Sequence, residues 1–247
     1  MRIALLADIH GNREAFDAVL EAIRREGADR IALLGDLVGY GADPGYVVDR
    51  AAELVAQGAI ALKGNHDEAA VDGRTAGMND YAKAALEWTA RQIDAAQSAF
   101  LAGLPLTHEE DDRLLVHADA TNPGDWRYVT DAREAERSIA ATDKRVTVCG
   151  HVHRPQVFNM LPGRVAIAFA PNTGTPIPLL AQRRWLAVLG AVGQPRDENP
   201  SAAYAVLDTA AKSICYRRAP YDIESAAKKI HAAGLPQILA ARLFVGR

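Results

Sequence analysis

Five short apolar runs in the first 153 residues each stop at a side chain able to ligate a metal ion, and this recurrence constrains the chain more than any other feature. Ile31-Ala32-Leu33-Leu34 stops at Gly35-Asp36. Ile3-Ala4-Leu5-Leu6-Ala7 stops at Asp8 and His10, and Ile60-Ala61-Leu62 at Gly64-Asn65-His66-Asp67. Leu114-Leu115-Val116 ends at His117, and Val146-Thr147-Val148-Cys149 at Gly150-His151-Val152-His153. A short continuous apolar run reads as a strand buried on both faces, and ligands of open α/β sheets collect beyond the carboxyl ends of the strands. The five tips are therefore expected to converge on one site, with Asp36 near its centre.

The length of 247 residues and the 49% hydrophobic content suit one large domain, residues 1–247, with a substantial core. The first apolar run meets Asp8 too soon to be a signal-peptide core, and no stretch is long enough to cross a bilayer. A soluble cytoplasmic protein is the expectation. Cys149 and Cys215 lie far apart in apolar runs, which suits buried thiols rather than a disulfide framework. A net charge of -3 gives no global reason to bind nucleic acid, and no basic stripe with interleaved aromatics supplies a local one.

Along the first half, strand and helix alternate. Residues 13–26 place Phe16, Val19, Leu20 and Ile23 at helical spacing, between an N-cap at Asn12 and a stop at Gly27. A second helix is expected over residues 44–57, opened by Pro44 and closed by Gly58. Residues 78–104 read as two helices broken near Asp94, with Tyr81, Ala85, Leu86, Trp88, Phe100 and Leu101 as core. The second half changes character. Residues 156–160 and 164–170 flank Leu161-Pro162-Gly163 as a hairpin. Runs at 184–189, 203–208 and 213–218 complete what reads as a second sheet, followed by a helix over 223–233 and a last helical turn or two through Leu243. Charge runs such as residues 109–113 and Lys228-Lys229 read as solvated surface, as do His108 and His231.

The donors carry the chemistry. In Asp8-Ile9-His10 and His151-Val152-His153, residues two apart on an extended backbone point the same way and can grip cations together. Asp36 can bridge two ions because a carboxylate offers two oxygens. Oxygen and nitrogen donors without cysteine suit Mn²⁺, Fe²⁺ or Zn²⁺ and argue against a closed structural zinc site. Each piece alone has a bland explanation: a lone Asp-x-His is commonly structural, Gly-Asp commonly a capped turn. Independent turns would not, however, bring five of the seven histidines to strand tips beside carboxylates and an asparagine.

Together these residues resemble calcineurin-like metallophosphoesterases, which carry Asp-x-His, Gly-Asp, Gly-Asn-His-Asp, His and Gly-His-x-His in this order. Gly35-Asp36-Leu37-Val38-Gly39-Tyr40-Gly41, Val192-Gly193-Gln194-Pro195-Arg196-Asp197 and the closing residues 242–247 are similar to a bacterial phosphodiesterase or diadenosine-tetraphosphatase-like subgroup. The resemblance implies a four-layer αββα sandwich, two mixed β-sheets flanked by helices, in agreement with the change of pattern near residue 155. It also implies two divalent metals, Mn²⁺ foremost. Asp8, His10, Asp36 and His153 would hold one, Asp36, Asn65, His117 and His151 the other. His66 would then be the catalytic histidine that stabilises the transition state or protonates the leaving oxygen, while a hydroxide generated at the metal pair attacks phosphorus.

Departures from the family pattern bear on substrate. The protein-phosphatase branch has an acidic residue three positions after the bridging aspartate, then an arginine that holds the substrate phosphate; here these are Gly39 and Tyr40. Asp67 is a candidate to orient His66 instead, and Tyr40 a candidate substrate contact. Asn122, Trp126, Arg127 and Tyr128 are rim candidates, the two aromatics reading as packing residues before stacking platforms. The expected activity is hydrolysis of a phosphodiester or another small phosphate ester. A serine/threonine protein phosphatase and a non-catalytic interaction scaffold on the same fold are the alternatives. The alanine-rich helices and closing segment suit packing within one chain or between two copies.

Overall fold

A computed structural model describes residues 1–247. The chain opens as the alternation requires, with β1 (Arg2–Leu6), α1 (Arg13–Glu26), β2 (Arg30–Leu33), α2 (Pro44–Ala56) and β3 (Ile60–Ala61). The three strands are parallel. α1 has the expected ends: Asn12 accepts a hydrogen bond from the Ala15 amide, and Gly27 closes the helix in the left-handed region at φ 73°. A helix not foreseen, α3 (Asn65–Asp72), starts at the third strand tip. α4 (Asp80–Ala90) and α5 (Ala95–Gly103) follow, the second capped by Asp94. Tyr81 is 48% exposed rather than core, because the first turn of α4 turns it outward, whereas Ala85, Leu86 and Leu101 are buried.

The next stretch alternates again, as β4 (Thr107–Glu110), β5 (Arg113–Val116), α6 (Ala132–Ala140) and β6 (Val146–Cys149). β4 pairs antiparallel with β5, so the charge run at residues 109–113 is a hairpin rather than free surface. Arg113 is buried there among Glu110, Asp111 and Asp112, and His108 is half-buried. The remaining elements are β7 (Gln156–Met160), β8 (Ile167–Phe169), β9 (Ile177–Pro178), β10 (Arg184–Val188), β11 (Ala202–Asp208), β12 (Ser213–Ala219), α7 (Ile223–Ala232) and α8 (Gln237–Val245). The final helix is longer than the turn or two expected.

These strands form two mixed six-stranded sheets, ordered β3-β2-β1-β11-β12-β9 and β4-β5-β6-β10-β7-β8. The sheets do not divide the chain into halves. β11 returns to lie antiparallel beside β1, while β10 pairs parallel with β6, so each sheet takes strands from both halves. Alternation along β1 explains the layering: Ile3 and Leu5 enter the core between the sheets, and Ala4 and Leu6 face the helices. α1, α2 and α5 cover the first sheet, and α6 covers the second through Ala135 and Ile139. The result is the expected sandwich of two mixed sheets flanked by helices. α7 and α8 pack with α4 around Tyr40. Lys229, read from sequence as solvated, pairs with Glu14 at 2.5 Å and Asp43 at 2.8 Å and ties α7 to the loop before α2. No helix is long and apolar enough to cross a membrane. Both cysteines are buried and unpaired.

Main-chain contacts join the sheets at the tips. Val192 and Gly193 donate amide hydrogens to the carbonyls of Ala7 and Asp8. A Cβ on Gly193 would lie 1.8 Å from the Ile9 carbonyl oxygen, which cannot rotate away. Gly193→Ala is therefore expected to destabilise the fold by about 1–3 kcal/mol, read as a lowered denaturant midpoint; an unchanged midpoint would refute the contact.

Candidate metal centre

The donors sit just past the strands, in turns rather than extended backbone. Asp8, His10, Asp36, His151 and His153 all have φ between 52° and 67°. The pleat argument for Asp8-x-His10 and His151-x-His153 is thus replaced by a different geometry, because β1 ends at Leu6 and β6 at Cys149. Left-handed backbone is uncommon for side chains other than glycine and concentrates where the surroundings enforce it. Here hydrogen bonds between the tips hold it: the amides of Asp8, His10 and Gly11 donate to the carbonyls of Gly35, Asp36 and Leu37, the His151 amide donates to Asp8, and the His153 carbonyl accepts the Arg196 amide.

Two clusters result. Asp8, His10, Asp36 and His153 offer ligand atoms within 4.8 Å of one another, and so do Asp36, His117 and His151. Asp36 belongs to both. Its Oδ2 lies 3.6 Å from His10 Nε2 and 3.5 Å from His117 Nε2, while its Oδ1 accepts the His66 amide at 2.8 Å. Asp8 accepts the His151 amide through both oxygens and lies 3.5 Å from His153 Nε2. All six of these Asp and His side chains are buried.

Three of the imidazoles are locked by main-chain carbonyls. Nδ1 of His10 lies 3.1 Å from Val38 O, Nδ1 of His117 2.7 Å from Leu34 O, and Nδ1 of His153 2.7 Å from Gln194 O. A carbonyl oxygen only accepts, so each Nδ1 carries the hydrogen and each Nε2 turns toward the site. His10 Nε2 and His153 Nε2 then face one another at 3.1 Å with a lone pair each. That is unfavourable unless a cation lies between the donors, and it fits the ligation expected of them. The Asn65 side-chain oxygen is buried without a hydrogen-bond partner, as suits a further neutral donor.

Charge follows the same plan. Burial, reinforced by His66 for His10 and by Arg196 for His153, holds both imidazoles well below their usual pKa and therefore neutral. Burial and the neighbouring His117 lower His151 to about 3. His117 behaves oppositely: burial disfavours its charge, but Asp36 and Asp8 outweigh it and raise the pKa to about 9. Burial would raise Asp36 as well, yet the surrounding histidines hold it well below the carboxylate range. Asp8 is pushed up to about 7, mainly by burial. His117 and Asp36 thus each favour the other's charge in a buried site.

His66 and Tyr40 adjoin these clusters. The His66 ring packs 4.7 Å from His10 and 4.6 Å from Tyr40, and its buried Nδ1 has no hydrogen-bond partner. Asp67 does not orient it. Its carboxylate instead accepts the amides of Leu37, Val38 and Gly64, joining the second and third tips. Gly39 does bear on His66: a Cβ there would lie 2.3 Å from His66 Nδ1, so an acidic side chain at this position would displace the ring. Tyr40, Asn65, His66, Trp126, Tyr128 and His151 line a cleft of about 390 Å³. Trp126 Nε1 donates to Glu68 at 3.0 Å, and the half-exposed Tyr128 stacks on His151 at 4.1 Å, so both aromatics pack and line the cleft at once. Asn122 and Arg127 instead turn to Asp125 at the surface. Arg196, which sequence reasoning had not singled out as a site residue, lies with its guanidinium 5.6 Å from the Tyr40 ring.

Comparison with known proteins places this geometry in context. The profile of the calcineurin-like phosphoesterase superfamily domain matches residues 1–212. An uncharacterized protein of Methanocaldococcus jannaschii is 34% identical over 250 residues, 99% of this chain and 98% of that protein. The crystal structure of a metallophosphoesterase from Sphaerobacter thermophilus aligns with a TM-score of 0.88 and 34% identity, covering 100% of both chains. A phosphodiesterase of Escherichia coli is 25% identical over 200 residues, 71% of this chain and 84% of that protein. Because the family match spans both His/Asp clusters and a relative aligns nearly end to end, the chain belongs to the calcineurin-like phosphoesterase superfamily.

Proposed function

We propose that this chain is a dinuclear-metal phosphoesterase that hydrolyses a phosphodiester or a comparably small phosphate ester. The observation that carries the reading is the pair of buried clusters sharing Asp36. Asp8, His10, Asp36 and His153 would hold one divalent ion, and Asp36, Asn65, His117 and His151 the other; the mixed oxygen and nitrogen donors suit Mn²⁺, Fe²⁺ or Zn²⁺, and the family resemblance puts Mn²⁺ foremost. Such ions, when bound, neutralise phosphoryl oxygens and acidify water near neutral pH.

The chain's own residues do the rest. Burial lowers the pKa of His66, so at neutral pH it presents a neutral ring at the cleft, whose N–H can hydrogen-bond the leaving oxygen and stabilise the charge that develops there. Tyr40 keeps its phenolic hydrogen, its pKa raised by burial, and can donate to the ester. The cleft falls in the range of small-molecule sites, and Trp126 and Tyr128 give it an apolar wall suited to an organic leaving group. The name of the Escherichia coli relative favours a diester. Gly39 and Tyr40, standing where protein phosphatases carry an acid and an arginine, weigh against phosphoserine or phosphothreonine.

Protein stripped of metal and reloaded with Mn²⁺ is expected to hydrolyse bis-p-nitrophenyl phosphate faster than a phosphopeptide; silence across several metals and model esters would overturn the proposal. Asp36→Asn removes the shared charge and is expected to abolish most turnover and lower metal content. His66→Ala should keep its metals yet lose on the order of 10²–10⁴ in rate, and a rate within a few-fold of wild type would remove His66 from the reaction. Metal binding also depends on pH. The ion at His117 must displace a proton whose pKa is about 9, so apparent affinity should rise about tenfold per pH unit below that value. Mn²⁺ titrations between about pH 6 and pH 8 with equal affinities would contradict this protonation state.

A further inference from the structure

We propose that Arg196 binds the substrate's phosphoryl oxygens, supplying from the loop after β10 the cationic contact that protein phosphatases place beside the bridging aspartate. The inference rests on the phosphoesterase reading above and adds a residue to it.

Arg196 is half-buried, and its Nε is wholly inaccessible without a hydrogen-bond partner. Its Nη2 donates to Gln194 Oε1 at 2.9 Å, a neutral acceptor, and no carboxylate pairs with it. A partly buried guanidinium without a carboxylate gains from an anion that takes two of its N–H groups at once, and a phosphoryl group has that geometry. The charge also faces the right place. The guanidinium lies 5.6 Å over the Tyr40 ring, and that ring in turn packs 4.6 Å from His66. With the charges of Asp8 and Asp36 committed to cations, Arg196 remains as a positive side chain at this edge with no acidic partner.

Its position is fixed rather than incidental. The Arg196 amide donates to the carbonyl of His153 at 3.1 Å, and His153 Nδ1 donates to the carbonyl of Gln194 at 2.7 Å. Arg154 Nε donates to the Arg196 carbonyl at 2.6 Å. Residues 194–196 are thus latched to a histidine of the first cluster, and Gln194, itself 1% exposed, aims the guanidinium. Tyr40 occupies the sequence position of the missing arginine, so a cation arriving through Arg196 reaches the same region of the site from the opposite sheet.

The test uses Mn²⁺-loaded wild type, R196Q and R196K, with inorganic phosphate as the probe. Phosphate affinity is measured by calorimetry and by inhibition of bis-p-nitrophenyl phosphate hydrolysis, and metal content is determined for each protein. R196Q is expected to keep both ions and to bind phosphate roughly 10- to 100-fold more weakly, the size of a lost charge-assisted hydrogen-bond pair. Its loss in kcat/KM should be carried largely by KM. R196K, which keeps charge but not the fork, should fall between. If wild type hydrolyses the diester while R196Q retains its metals and binds phosphate within twofold of wild type, the role of Arg196 is refuted and the phosphoesterase reading stands. If wild type neither hydrolyses the ester nor binds phosphate, both fall together. Should R196Q lose its metals, R196K decides, and wild-type phosphate affinity in that variant refutes the assignment.

Discussion

Three backbone carbonyls determine where this site's nitrogen donors point. Val38, Leu34 and Gln194 each take the Nδ1 hydrogen of a buried imidazole, and each carbonyl belongs to a different loop from the histidine it holds. The consequence is electrostatic. Once the tautomers are set, Nε2 lone pairs from His10 and His153 confront each other at 3.1 Å, with Asp8 and Asp36 beside them. A protein interior does not tolerate such an arrangement for its own sake, since burying unpaired polar groups is costly. The donors of both clusters therefore suit positive charge, and Asp36 and Asp8 act in the same sense on His117, raising its pKa to about 9 against the effect of burial.

Holding this arrangement has a second cost, because the donors adopt left-handed backbone just where the strands end. The compensation comes from behind them. Between the sheets, Ile3, Leu5, Leu34, Leu62, Val148 and Leu189 form a continuous apolar layer directly beneath the tips. On the far side of the first sheet, Leu6, Leu33 and Leu37 pack with Phe16 and Val47. Burying each large aliphatic side chain contributes about 1.5–3 kcal/mol, so a few of them outweigh several strained turns at roughly 1–3 kcal/mol each. Asp67 belongs to the same support: by accepting amides from Leu37, Val38 and Gly64 it joins the loop that carries Asp36 to the one that carries Asn65 and His66.

Local signals made much of this readable from the chain alone. α1 was legible at both ends because its cap, its apolar spacing and its terminal glycine are all contained in the sequence between Asn12 and Gly27. The strand tips were legible because the change from apolar to donor residues is abrupt. Strand partnership was not. That β11 inserts beside β1, while β5 and β6 join the other sheet, depends on which apolar faces meet across the sandwich, and no local spacing encodes it. α3 escaped notice because Asn65-His66-Asp67-Glu68 is polar like a loop; its start depends on the Asp67 carboxylate reaching back to the Gly64 amide. Arg196 escaped notice for a related reason. An arginine in a polar loop carries no periodicity, and its significance lies in the carboxylate it lacks and in the ring it faces.

The environment of His66 differs from that expected of the protein-phosphatase branch without losing a donor. Where that branch carries an acidic side chain, Gly39 leaves only backbone against the ring, and His66 packs between His10 and Tyr40. Packing of this kind needs a rigid partner, and Tyr40 has one. Its ring is enclosed by residues of α4, α7 and α8, including Ala82, Leu239 and Leu243, while Lys229 holds the adjoining loop through Asp43. The two C-terminal helices lie beyond residue 212, where the family profile match ends. They nevertheless buttress the wall against which the candidate catalytic histidine rests. Shape thus holds the ring where a carboxylate does not, and His66 Nδ1 lies buried against Gly39 without a hydrogen-bond partner.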